Sequence, residues 1–240
     1  MKNQLLILAI LLSATGLSAC KWVSSENNPF IQPEKYMNTN VFPTPEATAQ
    51  AGLEALSLLI TAENAASFGF DTPDQARTAA LTSPAAVYEI GFEKLTSAQT
   101  GDRLEKLASP SSEQIFPLAI SDTYRSAVRI SGRTNEYHLA GVGEAGYAEM
   151  LEKAREQARI QFGDSVKVSP ETATFYSVPG IGATFIGIRV QETLWLLPSR
   201  DTRLSRTEER LFLPADRLLP ILAEEARRMA ELIKGERRLR

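Results

Sequence analysis

The segment Gly141–Gly146 reads GVGEAG and fits the G-x-G-x-x-G pattern, in which backbone N–H groups and a helix N-terminus bind a pyrophosphate. It follows a predicted strand and opens a predicted helix. Glu144, however, would place a negative charge beside the phosphates, and Asp164 comes too early to bind the ribose. We therefore predict a strand-to-helix turn that uses the backbone freedom of glycine, and we expect no cofactor.

His138 is the only histidine of the chain. It alternates with Tyr137 and Leu139, so it should face solvent or a groove if those two side chains face the core. A catalytic histidine needs a nucleophile or an orienting carboxylate, and a metal site needs further ligands. The sequence pattern indicates neither, so we expect an ordinary strand histidine and no metal.

Three acidic residues, Glu89, Glu93 and Glu136, lie on predicted solvent-facing sides of strands. Two carboxylates that converge in space can hydrolyse a glycosidic bond, and such a pair needs no fixed sequence spacing. Acidic residues on such faces are usually only solvated. A cell-wall hydrolase with paired carboxylates therefore stays open as an alternative.

The turn Pro179-Gly180-Ile181-Gly182 is flanked by Tyr176 and Phe185. Ile181 is apolar where a turn usually carries a polar residue, and a protruding apolar tip is a common start of an interaction surface. Ile181, Tyr176 and Phe185 are thus a candidate interaction tip. The alternative is a turn selected for its backbone geometry.

Arginines cluster in one loop and in the C-terminal tail, where they could contact anionic lipid or cell-wall polymer. Interleaved acidic residues favour an ordinary solvated loop and a frayed helix end. The arginines are Arg200, Arg203, Arg206 and Arg210 in the loop and Arg237, Arg238 and Arg240 in the tail.

The N-terminus carries Lys2, an apolar run from Leu5 to Leu12 and then small residues. The run is too short to span a bilayer, and the arrangement is typical of a secretory signal. Residues Leu17-Ser18-Ala19-Cys20 resemble the lipobox of bacterial lipoproteins. The resemblance implies that residues 1–19 are removed, that Cys20 is lipidated, and that the acyl chains hold the mature chain on a membrane.

Lys21 stands where, in the sorting pattern of these lipoproteins, an aspartate would favour the inner membrane. The resemblance therefore implies the outer membrane, facing the periplasm, if the organism is Gram-negative. Cys20 is the only cysteine, so with lipid attached it leaves no thiol nucleophile, disulfide or thiolate zinc site. Lys2 is the only charged residue removed with the signal, so 25 basic and 29 acidic side chains leave a net charge of −4. The charges are interspersed along the sequence, and we therefore expect no basic surface that binds nucleic acid.

Residues 20–44 are rich in Asn, Ser and Pro and are predicted to be a flexible tether, although part of it, Phe30-Ile31 or Val41-Phe42, could lie across the domain. Residues 45–240 are predicted to form one α+β domain, with antiparallel meanders packed against helices. Strands with helices on one face resemble the cystatin-like architecture by layout alone. We expect helices over residues 45–60, 73–81, 102–107, 144–162 and 215–234, and strands over residues 88–92, 114–120, 124–131, 135–140, 172–178, 183–190 and 193–197.

Two of these helices carry specific expectations. In the helix over residues 144–162, Glu149 and Lys153 are predicted to form an i,i+4 pair, and Gly163 ends the helix. In the last helix, one apolar stripe should face the core. Its members are Leu218, Leu222, Met229 and Ile233.

These features favour a non-enzymatic, membrane-anchored envelope lipoprotein that binds another envelope protein or a cell-surface polymer. The alternatives are the hydrolase with paired carboxylates and a carrier with an apolar cavity between sheet and helices.

Replacement of Cys20 by alanine tests the anchor. Cys20→Ala removes the only sulfur that can accept the lipid, so we expect unprocessed precursor and no incorporation of labelled fatty acid. Fatty-acid labelling that survives the substitution would contradict the lipobox assignment.

Overall fold

A computed structural model describes residues 41–199 and 211–238, with side chains as far as Gly235. The predicted signal peptide, Cys20 and most of the tether lie outside these residues. So do the arginine loop, Arg240 and the side chains of Arg237 and Arg238.

The first two helices begin with the same local signal. The hydroxyl of Thr44 accepts the N–H of Ala47 at 3.1 Å, and Pro45 opens helix α1, Pro45–Leu59. Thr72 does the same for Gln75 at 3.4 Å before helix α2, Pro73–Thr78. Both caps satisfy an N–H that the helix itself leaves unpaired, so the predicted helix starts are confirmed.

The remaining helices are α3, Phe92–Thr96; α4, Leu104–Leu107; α5, Ala145–Phe162; and α6, Ala215–Arg238, with 3-10 turns at Ala65–Phe68 and Pro179–Ile181. The first five strands are β1, Ala80–Leu81; β2, Ala85–Ile90; β3, Ala108–Ile120; β4, Thr123–Arg133; and β5, Glu136–Val142. The last four are β6, Ala173–Val178; β7, Ala183–Val190; β8, Thr193–Pro198; and β9, Leu213–Pro214.

The described strands form one mixed sheet in the order β5-β4-β3-β2-β6-β7-β8-β9, with β1 also paired to β3. Short hairpins join most neighbours, so the pairings are antiparallel. The exception is β2 with β6, which is parallel. The chain is an α+β domain as predicted, but the sequence analysis did not predict the parallel pairing at the centre of the sheet.

Helices cover both faces of this sheet. Along β3, Ile115 packs in the cluster under α5, whereas its neighbour Phe116 packs in the cluster under α1. Along β6, Phe175 again faces α5, whereas Tyr176 packs in the cluster of α6. Because side chains alternate along a strand, α5 lies on one face and α1 and α6 lie on the other. The cystatin-like layout, with helices on one face, is therefore wrong.

The end of the predicted tether pairs with the edge of the sheet. The N–H of Phe42 donates to the carbonyl of Tyr137 at 3.0 Å, and the N–H of Tyr137 donates back at 3.1 Å. Val41-Phe42 thus lies across the domain, as the sequence analysis allowed. Within the described residues, pairing with the sheet begins at Phe42, slightly before the predicted boundary.

Several predicted elements differ from the structure. The helix predicted over residues 73–81 ends at Thr78, and the strand predicted from residue 114 begins at Ala108. Strand β2 ends at Ile90, and Phe92 begins α3, which turns its side chain toward the cluster of α6. In α6, Leu218 and Leu222 are buried, but Ile233 is 43% exposed and Met229 is only half-buried. The buried stripe of α6 ends near Ala226. The apolar residues beyond it keep the helical spacing, but no part of the described sheet lies beneath them.

The GVGEAG segment forms the corner between β5 and α5, as predicted. Gly143 has a φ of +70°, and a Cβ there would overlap the ring of Phe68. Gly146 lies in the first turn of α5, and a Cβ there would meet nothing within 4 Å. Gly143 is thus needed for the backbone geometry of this corner, and Gly146 is not.

These two glycines make a matched pair of substitutions. We expect Gly143→Ala to lower the free energy of unfolding by about 1–3 kcal/mol, because positive φ and the overlap with Phe68 both disfavour a side chain. Gly146→Ala should leave it unchanged or raise it by up to about 1 kcal/mol. Urea denaturation measures both, and equal losses would contradict this account of the corner.

Candidate functional site

Arg129, on β4, lies between two acidic side chains. Its Nη1 donates to Glu113 at 2.6 Å, and its Nε and Nη2 donate to Glu144 at 3.0–3.1 Å. All three side chains are one-quarter to one-third exposed. The hydrogen bond to Glu144 raises the pKa of Arg129, so the guanidinium stays charged.

The sheet register and a glycine bring these residues together. Arg129 pairs with Ile115, so Glu113, two residues before Ile115, lies on the same face and diagonally across from it. Glu144 is the residue before α5, and Gly141 has no Cβ where this carboxylate lies against the backbone. The cluster therefore connects β3, β4 and the start of α5.

Tyr147 lies one turn further along α5. Its ring packs edge-on against Phe175 at a centroid distance of 5.0 Å. Burial raises the pKa of the Tyr147 hydroxyl, and the charge of Glu144 raises it further. The hydroxyl therefore stays neutral at physiological pH and can both donate and accept a hydrogen bond.

Two further sets of contacts hold α5 in place, one to the β3–β4 hairpin and one to the residue before β9. Arg155 donates to the carbonyl of Asp122 at 2.6 Å, and its guanidinium carbon lies 4.3 Å from the ring centroid of Tyr124. Near the end of the helix, the amide of Gln161 exchanges two hydrogen bonds with the backbone of Phe212 at 3.0 and 3.2 Å. The helix is thus held at its start, its middle and its end.

An open groove runs along the side of α5 that faces β7 and β8. It has a wide part of about 570 Å³ and a narrow part of about 210 Å³, which share Met150, Lys153 and Ser199. From Gly146 to Gln157 the helix side of the groove is about 16 Å long. The wide part is also lined by Glu144, Tyr147, Glu149, Gly182 and Thr184, and the narrow part by Glu156, Gln157, Ile186, Leu197 and Pro198.

The groove has an apolar floor and a charged rim. Met150, Ile186 and Leu197 are buried beneath it. Lys153 and Glu149 are exposed above it, but the i,i+4 ion pair predicted between them is absent. Within the described part of the chain, Lys153 forms no ion pair or hydrogen bond. Among the described residues, the groove therefore presents an apolar surface beside an ammonium group, on Lys153, and a carboxylate, on Glu149, that no ion pair neutralises.

A second groove, of about 770 Å³, lies between residues 98–103 and the first turns of α6. Arg227 donates to the carbonyl of Ala98 at 3.4 Å across it. Its rim carries both acids and bases, namely Asp102, Arg103, Asp216 and Arg227. This mixture indicates no particular ligand.

The predicted apolar tip is not a surface in the structure. Phe185 is completely buried and Tyr176 nearly so, both within the cluster of α6, and burial raises the pKa of Tyr176 to about 12. Ile181 is half-buried against the same cluster, and a Cβ on Gly180 would overlap the ring of Phe92. The prediction of a protruding tip is wrong because α3 and α6 pack over the turn. Its neighbour Gly182 instead borders the α5 groove.

The other predicted residues remain separate. His138 is exposed on edge strand β5, and the described residues contain no group of three or more side chains that could hold a metal ion. Glu89 lies on β2, Glu136 on β5 and Glu93 on α3. Because β3 and β4 separate β2 from β5, the first two acids lie about 14 Å apart at the closest and form no pair.

The acidic pair of the structure is Glu113 and Glu144, which the sequence analysis did not predict as a pair. Both bond one guanidinium, so their carboxyl groups lie on the order of 5–8 Å apart. That separation suits a glycosidase, but Arg129 fills the space where the scissile bond or a water would lie. The only sequence signal was the acidic residue within the glycine-rich turn.

Comparisons with protein-family models, with curated proteins and with solved structures found no significant match. Among residues 41–199 and 211–238, no helix has the length and apolar character needed to cross a bilayer.

The Arg129 cluster predicts a dependence between substitutions. Arg129→Met leaves Glu113 and Glu144 half-buried and facing each other, so we expect the free energy of unfolding to fall by about 1–3 kcal/mol. Adding Glu113→Gln and Glu144→Gln should recover most of that loss, because the repulsion is removed. A triple variant no more stable than Arg129→Met would show that repulsion between the carboxylates does not cause the loss.

Proposed function

We propose that this chain is a membrane-anchored envelope lipoprotein, attached through lipid on Cys20, whose folded domain binds another envelope protein. In a Gram-negative organism it would lie on the outer membrane and face the periplasm. The observation that carries the binding proposal is the α5 groove, which combines an apolar floor with the charge of Lys153, for which the described residues provide no ion pair.

The chemistry of the groove supports recognition of a protein. Apolar side chains such as Met150 and Leu197 gain free energy when a partner covers them, and methionine adapts its shape to different partners. Polar groups around such a floor provide orientation and specificity. Lys153, Glu149 and Tyr147 are groups of this kind.

The rival functions have weaker support. The paired carboxylates Glu113 and Glu144 are occupied by Arg129, which leaves no space between them for a sugar. A carrier would need an enclosed apolar cavity of several hundred cubic ångströms. The part of the groove with an apolar floor holds only about 210 Å³ and opens to solvent along α5.

Photo-crosslinking in intact cells tests the proposal. A photoreactive amino acid in place of Gln157, in the otherwise unchanged full-length lipoprotein, should give one dominant adduct with an envelope protein. The matched control is Ile160, which is 62% exposed on the same helix and does not line the groove. This position should give no such adduct.

Two results would contradict the proposal. Equal adducts from both positions would show that the groove is not the binding surface. Adducts only with cell-wall polymer would replace the protein partner with that polymer.

A further inference from the structure

We infer that the α5 groove binds an extended peptide segment of its partner, with one apolar side chain in the narrow part and a neighbouring carboxylate on Lys153. This inference rests on the proposed function and specifies its ligand. Its basis is the shape and charge of the groove as the described residues form them.

The dimensions of the groove favour an extended chain. The length of about 16 Å along α5 matches about five residues at 3.3 Å per residue. A docked helix would present a row of side chains at i, i+3, i+4 and i+7 to the groove, whereas the narrow part, about 210 Å³, has room for only one or two of them.

The charge of the narrow part selects an acidic residue. Glu156 lines this part, but it is paired with Arg159 at 2.8 Å. Lys153 is thus the one charged group lining the narrow part that no described residue neutralises. A carboxylate on the ligand would complete its ion pair in the narrow part, whereas Glu149, which lines only the wide part, would repel a carboxylate there.

The floor of the narrow part determines the position of the apolar side chain. Met150, Ile186, Leu197 and Pro198 surround a volume suited to one or two apolar groups, beside the ammonium of Lys153. Side chains of an extended peptide alternate, so residues i and i+2 point the same way. An apolar residue and an acidic residue two positions apart would therefore reach the floor and Lys153 together.

Selection from a random heptapeptide display library on the full-length lipoprotein in detergent micelles tests this inference. We expect enrichment of peptides in which an aliphatic or aromatic residue lies within two positions of Asp or Glu. Lys153→Glu should change the selected charge to Lys or Arg. It should also weaken binding of the original peptides about tenfold in fluorescence polarisation, because attraction becomes repulsion.

Lys167→Glu is the matched control, because Lys167 is also exposed and lies outside the groove. It should change neither the selected motif nor the affinity. The inference fails if no motif is enriched, if Lys153→Glu leaves the motif unchanged, or if Lys167→Glu has the same effect. A groove-dependent adduct at Gln157 without an acidic motif would retain the proposed function and reject only this ligand.

Discussion

The ion pair between Arg129 and Glu144 determines where α5 begins. It therefore also determines how α5 and its groove lie on this face of the sheet. It joins the middle of β4 to the residue that precedes the helix, while Glu113 binds the same guanidinium from β3. A charge removed partly from water in this way is costly unless it is paired, so the three residues require one another. Gly141 and Gly143 make the corner possible, because a side chain at either position would overlap Glu144 or Phe68.

The position of α5 explains the groove. The small and apolar residues Ala148, Leu151, Ala154 and Ala158 bring the helix close to the sheet, above β3 and β4. On this face α5 contacts β8 near its end, where the ring centroid of Phe162 lies 5.0 Å from that of Trp195, but it leaves a groove along Ile186 and Leu197. The surface along Ile186 and Leu197 is thus bordered by α5 and remains open on the other side. A binding surface arises because one helix covers only part of a wide sheet.

Local patterns predicted the elements well, and they failed where a partner distant in sequence decides the outcome. Thr44 and Thr72 cap their helices, and Gly163 follows α5 with a positive φ, because these effects depend on a few adjacent residues. Tyr176 and Phe185 were predicted at a surface because their hairpin ends in Ile181, but α3 and α6 cover it. Ile233 continues an apolar period but has no surface beneath it. Neither the burial of this hairpin nor the exposure of Ile233 can be predicted from the periodicity of apolar residues.

The sequence by itself determined the helix caps, the hairpins, the strand-to-helix corner and the α+β class, whereas the anchor at Cys20 stays a prediction from the resemblance of residues 17–20 to a lipobox. Only the tertiary structure decided that β2 and β6 pair in parallel and that Glu113 and Glu144 both bind Arg129. It also decided that Lys153 lies beside an apolar floor and forms no ion pair with Glu149. The physical reason is separation along the chain. Capping and hairpin formation act over about four residues, whereas the cluster and the groove join strands and a helix that only the complete sheet brings together.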